Sequence, residues 1–195
     1  KFFIMDTRKR KIDVFMGVTS RVMRELKSFH KSQECSRFNL SFKDDDASRL
    51  ILRLPSVSFN DTTNQDALNI YTDLEENGRR YGRDPEVVME IVLDNYPTEP
   101  PFVYVVRPRF EFHTGHVTVG GSVCTELLTK QGWDPNMILE TLVLILWQNF
   151  IEGKARVVNF SIYPHFEPEA DYSEKEARQA FTRSVDFHRS RGDWK

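Results

Sequence analysis

The run Tyr96-Pro97-Thr98-Glu99-Pro100-Pro101 constrains this chain more than any other stretch. Three prolines in five residues offer no backbone N–H to a ladder, and each holds φ near −65°. The segment is therefore a rigid crossover. The apolar runs on either side, Val87–Leu93 and Phe102–Val106, read as the two strands it separates. Upstream, Phe38, Leu40 and Phe42 alternate with Asn39 and Ser41, and Leu50, Leu52 and Leu54 answer them across the acidic turn Lys43–Asp46. That spacing predicts a half-buried hairpin formed by Arg37–Phe42 and Arg49–Leu54. The aspartates in its turn lack the spaced ligands and distal glutamate of a calcium loop.

Helical periods surround these strands. Thr19 or Ser20 can cap a first helix reaching about Phe29, with Val18, Val22, Leu26 and Phe29 on one face. Arg21, Arg24 and Lys27 share another face, either solvated or a docking stripe for an acidic partner. Asn64–Arg80 predicts a short inserted helix with Leu68, Tyr71 and Leu74 in phase, ending near Gly78. In 136–151, eleven of sixteen residues are apolar, which predicts a buried central helix. It is too short for a bilayer and is interrupted by Glu140, Gln148 and Asn149. Ser173-Glu174-Lys175-Glu176 is a capping box opening a terminal helix on which Ala177, Ala180, Phe181, Ser184, Val185 and His188 fall in phase. Helix, antiparallel strands, irregular segment and two helices make an α+β chain.

With 195 residues the chain suits one domain that buries roughly 70% of its unfolded surface, so it needs no metal or disulfide staple. Residues 1–18 read as an extension carrying the basic cluster Arg8-Lys9-Arg10-Lys11, and 19–195 as the domain. Because it starts at Lys1, the chain reads as part of something longer. A net charge of −2 argues against nucleic-acid binding through the overall field, and nothing predicts a membrane partner. Two cysteines and no visible signal peptide favour a reducing compartment, cytoplasm or nucleus.

Residues 107–135 are long for an irregular connection, and such segments are usually functional. They hold His113, His116, Gly120, Gly121, Cys124, Trp133 and Pro135. Chemistry alone leaves three readings of Cys124: a nucleophile, a metal ligand with His113 and His116, or a buried small hydrophobe. No second CxxC or HxxxH pair supports the metal. Gly120-Gly121 lies outside any phosphate-loop context.

The YPxxPP crossover, Gly121-Ser122-Val123-Cys124 and Trp133-Asp134-Pro135 together resemble the core of the ubiquitin-conjugating (UBC) fold. Cys124–Trp133, Gly153-Lys154-Ala155-Arg156-Val157 and Pro100-Pro101-Phe102-Val103 are similar to its Q subfamily, and the resemblance covers roughly 19–195. It implies an N-terminal helix, a four-stranded antiparallel sheet, a central buried helix and a C-terminal helix. It also implies that Cys124 takes ubiquitin from an activating enzyme as a thioester and passes it to a substrate or ligase. No cofactor or metal is implied, since ATP is consumed by the activating enzyme.

Where the family carries the asparagine of His-Pro-Asn, eight residues before the cysteine, this chain has His116, a departure shared by the Q subfamily. By the resemblance His116 serves the oxyanion, the loop or a proton transfer, and Glu126, two past the cysteine, orients the incoming nucleophile. Trp133 is expected to pack as the loop's anchor, and Cys35 reads as structural or incidental. Partner docking is expected at Arg21, Arg24, Lys27, Thr98, Asp134, Pro135 and Asn136, with the polar Thr98 departing from the family's apolar ligase contact. The competing expectations are an inactive UBC-like binding module, a class that lacks the cysteine, and a carrier of another ubiquitin-like modifier.

Overall fold

The computed structural model describes residues 20–44, 46–158 and 170–192. The extension 1–18 and its basic cluster lie outside them. Helix α1 spans 20–29. The hairpin follows as β1 (Asn39–Lys43) and β2 (Asp46–Pro55), then α2 (Gln65–Tyr81), β3 (Glu86–Val92), β4 (Phe102–Arg107), α3 (Leu139–Glu152) and α4 (Glu174–Arg191). The four strands pair antiparallel in chain order, with Leu40 opposite Leu52, Leu52 opposite Met89 and Met89 opposite Val105. The α+β layout read from the sequence is the observed one, and no described helix is long and apolar enough to cross a membrane.

Strand alternation assigns the two faces of the sheet. Leu40, Leu50, Leu52, Leu54, Val87, Met89, Ile91, Val103 and Val105 share one core with Leu139, Leu142, Val143, Leu146 and Phe150 of α3. The alternate residues Val92, Tyr104, Phe102 and Val106 meet Ala177 of α4 on the opposite face. Both faces of β3 are thus covered, which is why its residues from Val87 to Val92 are all buried. Glu90, 1% exposed, also points to the α4 side. There Lys43 Nζ (2.9 Å), Arg49 Nη1 (2.8 Å) and the Tyr104 hydroxyl (2.8 Å) surround it. Arg49 in turn pairs with Glu174, so a buried carboxylate links the sheet to the first turn of α4.

Several boundaries differ from expectation. The inserted helix is not short. Asn64 caps it through Asp66 N and Ala67 N, and it runs seventeen residues to Gly82, which takes the left-handed φ of 62°. Gly78 is interior instead, and a Cβ there would lie 2.9 Å from the Arg83 carbonyl. The residues buried are Ala67, Ile70, Leu74 and Gly78, while Leu68 and Tyr71 are only half-buried. Strand β2 starts three residues early, at Asp46, because pairing with Lys43 extends the hairpin to its turn. Helix α3 starts at Leu139, later than the apolar run, because Met137 N closes a turn onto the Asp134 carbonyl.

Helix α3 has no side-chain cap of its own. Glu25 of α1 supplies one: its Oε2 accepts from Leu139 N at 2.9 Å and from the buried Tyr96 hydroxyl at 2.5 Å. A carboxylate at a helix N-terminus satisfies an orphan N–H and complements the dipole. The crossover opens with a cis Tyr96–Pro97 peptide. It is pinned at this same end by Trp133, whose Nε1 donates to the Pro97 carbonyl at 2.7 Å and whose ring lies 6.0 Å from that of Tyr96. Trp133 therefore anchors the loop, and Cys35 is buried in the main core.

Candidate active site

Cys124 is positioned by backbone bonds along the free edge of β4. Val105 N donates to the Gly121 carbonyl at 2.8 Å, and Val123 N to the Val103 carbonyl at 3.1 Å. Residues 121–123 therefore run beside β4 and deliver Cys124 just past its edge. Val117 bridges Val123, and Cys124 N donates to the His116 carbonyl at 2.7 Å. The other end of this loop is tied down where Gly115 N donates to Gly153 O at 2.7 Å, just beyond α3.

The two glycines before the cysteine form the bed of α4. A Cβ on Gly120 would lie 2.6 Å from the Glu176 carbonyl and 2.7 Å from Ala180 Cβ. Gly121 has φ of 90°, and its Cβ would enter the Tyr172 ring at 2.5 Å. Close approach is the reason for both residues. Half of the expected capping box forms, with Ser173 Oγ accepting from Glu176 N at 3.2 Å, while the Glu176 carboxylate takes Arg109 at 3.1 Å.

This docking carries α4 across the cysteine. Cys124 Sγ lies 2.8 Å from Ser184 Oγ and 3.6 Å from His188 Nε2, two side chains one helical turn apart. The half-buried sulfur opens on a cleft of about 740 Å³ between the 112–126 loop and α4, with exposed Phe112, Val119 and Phe187 around it. Burial pushes the Cys124 thiol up, and the Ser184 hydrogen bond partly opposes that. The resting group is therefore a protonated thiol beside a hydroxyl and an imidazole, and acyl transfer through this sulfur requires that its proton leave first.

The structure brings Cys124, His116 and Glu126 to one cleft. His116 is exposed at φ of 55° and touches the cysteine through its carbonyl, while its ring lies against Gly153. Glu126 is exposed in the 3-10 turn Glu126–Leu128, where its own carbonyl accepts from Thr129 N at 2.9 Å. His113 lies on the cleft wall against Phe112, with ring centroids 3.7 Å apart. Among the described residues no group of three or more His, Cys, Asp or Glu side chains could hold a metal.

The residues expected to dock partners do not form one equivalent set. Thr98, Pro135 and Asn136 are exposed near the crossover, and Asp134 closes an Asx turn onto Asn136 N at 2.8 Å. Arg24 and Lys27 are exposed, but Arg21 leaves the stripe. It bonds Glu25 at 2.6 Å and the Met137 carbonyl at 3.0 Å, and lies 5.3 Å from the Tyr96 ring centroid. A charge read as a docking group is held by α1's contact with α3 and the crossover. Periodicity puts Ser184 and His188 in phase with Ala177 and Ala180 on the terminal helix. Nothing in that spacing pointed to the cysteine, which lies 60 and 64 residues away.

Sequence comparison gives this geometry a family. The chain is 31% identical over 176 residues to ubiquitin-conjugating enzyme E2 Q1 of Homo sapiens, covering 89% of this chain and 38% of that protein. It is 25% identical over 185 residues to ubiquitin-conjugating enzyme E2 25 of Caenorhabditis elegans, covering 93% of this chain and 44% of the relative. A solved ubiquitin-conjugating enzyme E2 from Plasmodium falciparum aligns with a TM-score of 0.47 at 20% identity, over 67% of this chain and 96% of that one. No protein-family profile matches the chain. It is a UBC-fold member of the ubiquitin-conjugating enzyme family, of the Q type. It spans less than half the length of these two full-length relatives.

Proposed function

We propose that this chain is the catalytic core of a ubiquitin-conjugating transferase, in which Cys124 carries ubiquitin as a thioester. The activating enzyme presents ubiquitin already bound through a thioester of its own. The Cys124 sulfur attacks that carbonyl, the bond to the activating enzyme's sulfur breaks, and the proton lost by Cys124 passes through a neighbouring base to that departing thiolate. ATP is spent upstream. The thioester then yields to an acceptor nucleophile on a substrate, or on a ligase cysteine, and returns the Cys124 thiol.

The observation that carries this reading is the cysteine at the mouth of the cleft, with His188 Nε2 at 3.6 Å to accept a proton from the attacking group. The cleft offers an extended peptide terminus apolar walls at Phe112, Val119 and Phe187. His116 lines the same cleft, and we assign its ring to discharge rather than charging. Glu126 is exposed where an incoming amine would approach. Arg24, Lys27, Thr98, Pro135 and Asn136 are the exposed groups for activating-enzyme and ligase docking, and the reducing cytoplasm or nucleus suits a working thiol.

The test combines the chain with activating enzyme, ATP and ubiquitin and compares gels with and without reductant. A reductant-sensitive adduct is expected, absent in Cys124→Ala and replaced by a reductant-stable oxyester in Cys124→Ser. Absence of any adduct with ubiquitin or a related modifier would favour a binding module. For His116, an alanine variant that charges and discharges at parental rates removes its ring from the reaction.

A further inference from the structure

Among the described residues, Ser184 presents its hydroxyl in contact with the sulfur, and it is held there. Its helix is fixed one turn earlier by Ala180 and two turns earlier by Ala177, both buried, and by the close approach of Gly120 to Ala180 and Glu176. The Oγ–Sγ separation of 2.8 Å holds the hydroxyl against the atom that carries the acyl group, so rotation about the Cβ–Sγ bond can bring the acyl carbon to Ser184 Oγ. Near-attack geometry asks for about 3–3.5 Å between reacting atoms. One helical turn further along α4, His188 Nε2 lies 3.6 Å from the same sulfur.

We infer that Ser184 is an intramolecular acyl acceptor: ubiquitin carried on Cys124 moves to the Ser184 hydroxyl and leaves an oxyester on α4. The inference rests on the thioester reading above. In the step, Ser184 Oγ forms a bond to the thioester carbonyl carbon and the carbon–Sγ bond breaks. The hydroxyl proton moves, directly or through the His188 imidazole, to the departing sulfur, so Cys124 returns as a thiol. Nothing is oxidised or reduced, and no further reactant enters. Transfer runs downhill, because an ester oxygen donates into the carbonyl better than sulfur does. The product places ubiquitin on the helix that covers the cysteine, so the sulfur is regenerated behind a modified α4. The outcome is a chain that marks itself at a fixed position when no external acceptor arrives in time.

The experiment charges the full chain with activating enzyme, ATP and ubiquitin, quenches the activating enzyme, and follows the adduct without added acceptor. The reductant-sensitive band is expected to give way to a band that survives reductant and is cleaved by hydroxylamine. Its rate should not depend on chain concentration, and the tryptic Gly-Gly remnant should map to Ser184. Ser184→Ala should lose this second band and Ser184→Thr, which keeps a hydroxyl, should retain it. Cys124→Ala should show no remnant at Ser184. A charged chain whose adduct is lost only to water or to lysine overturns the inference while leaving the thioester reading intact. A Ser184 remnant that persists in Cys124→Ala also overturns it. No reductant-sensitive adduct in the parent chain overturns both.

Discussion

Gly120→Ala is a one-carbon change that tests whether α4 is seated as described. The new methyl would lie 2.6 Å from the Glu176 carbonyl oxygen and 2.7 Å from Ala180 Cβ, both parts of α4's own framework. Ordinary van der Waals contact begins at 3.4 Å, and neither atom is the far end of a flexible side chain. The helix must retreat by most of an ångström, or the 118–121 turn must deform. Overpacking of this kind costs about 1–3 kcal/mol, and both contacts are rigid, so we expect a loss of about 2 kcal/mol. The retreat acts on the side of α4 that delivers Ser184 to Cys124, and the sulfur should become more accessible. Urea unfolding measures the first effect, and the rate of Cys124 alkylation by iodoacetamide in native buffer measures the second. A variant within about 0.5 kcal/mol of the parent, with an unchanged alkylation rate, would refute the seating of α4 on Gly120.

Because burial raises the Cys124 thiol, its alkylation rate should climb through neutral pH and level off only above the usual cysteine value of about 8.5; Ser184→Ala, which removes the opposing hydrogen bond, should shift the rise to still higher pH. A plateau below that value in the parent would contradict the desolvated site. Glu25→Ala leaves the Tyr96 hydroxyl and the first turn of α3 without their shared acceptor, and should lose about 3 kcal/mol in urea unfolding, with Glu25→Gln retaining part of it. Trp133→Phe keeps the ring against Tyr96 but loses the bond to the Pro97 carbonyl, which should cost about 1–2 kcal/mol in the same assay.

The sheet and its helices were legible because burial writes a period into the chain. Alternation exposes β1 and β2, and the dense apolar run over 136–151 exposes α3. The proline crossover separates β3 from β4 in the sequence itself. Gly78 misled because a glycine inside a helix and one ending it look alike in sequence; what distinguishes them is the Arg83 carbonyl packed against the first and the left-handed φ of Gly82. Arg21 misled for a related reason. Its spacing matches Arg24 and Lys27, but only tertiary contact reveals the Met137 carbonyl that it bonds. Motif resemblance singled out Cys124 and His116, whereas the hydroxyl and imidazole in contact with the sulfur come from a helix 60 residues away, and no local pattern encodes that distance.

Intact-mass analysis of the chain after incubation with activating enzyme, ATP and ubiquitin tests the central claim most directly, with the attachment site mapped before and after reductant. The account predicts one ubiquitin per chain at the earliest times, joined at Cys124 and released by thiol, with the buried Cys35 unmodified. An early adduct joined at Cys35 or at a lysine, or no adduct while a known conjugating enzyme charges in parallel, would contradict it.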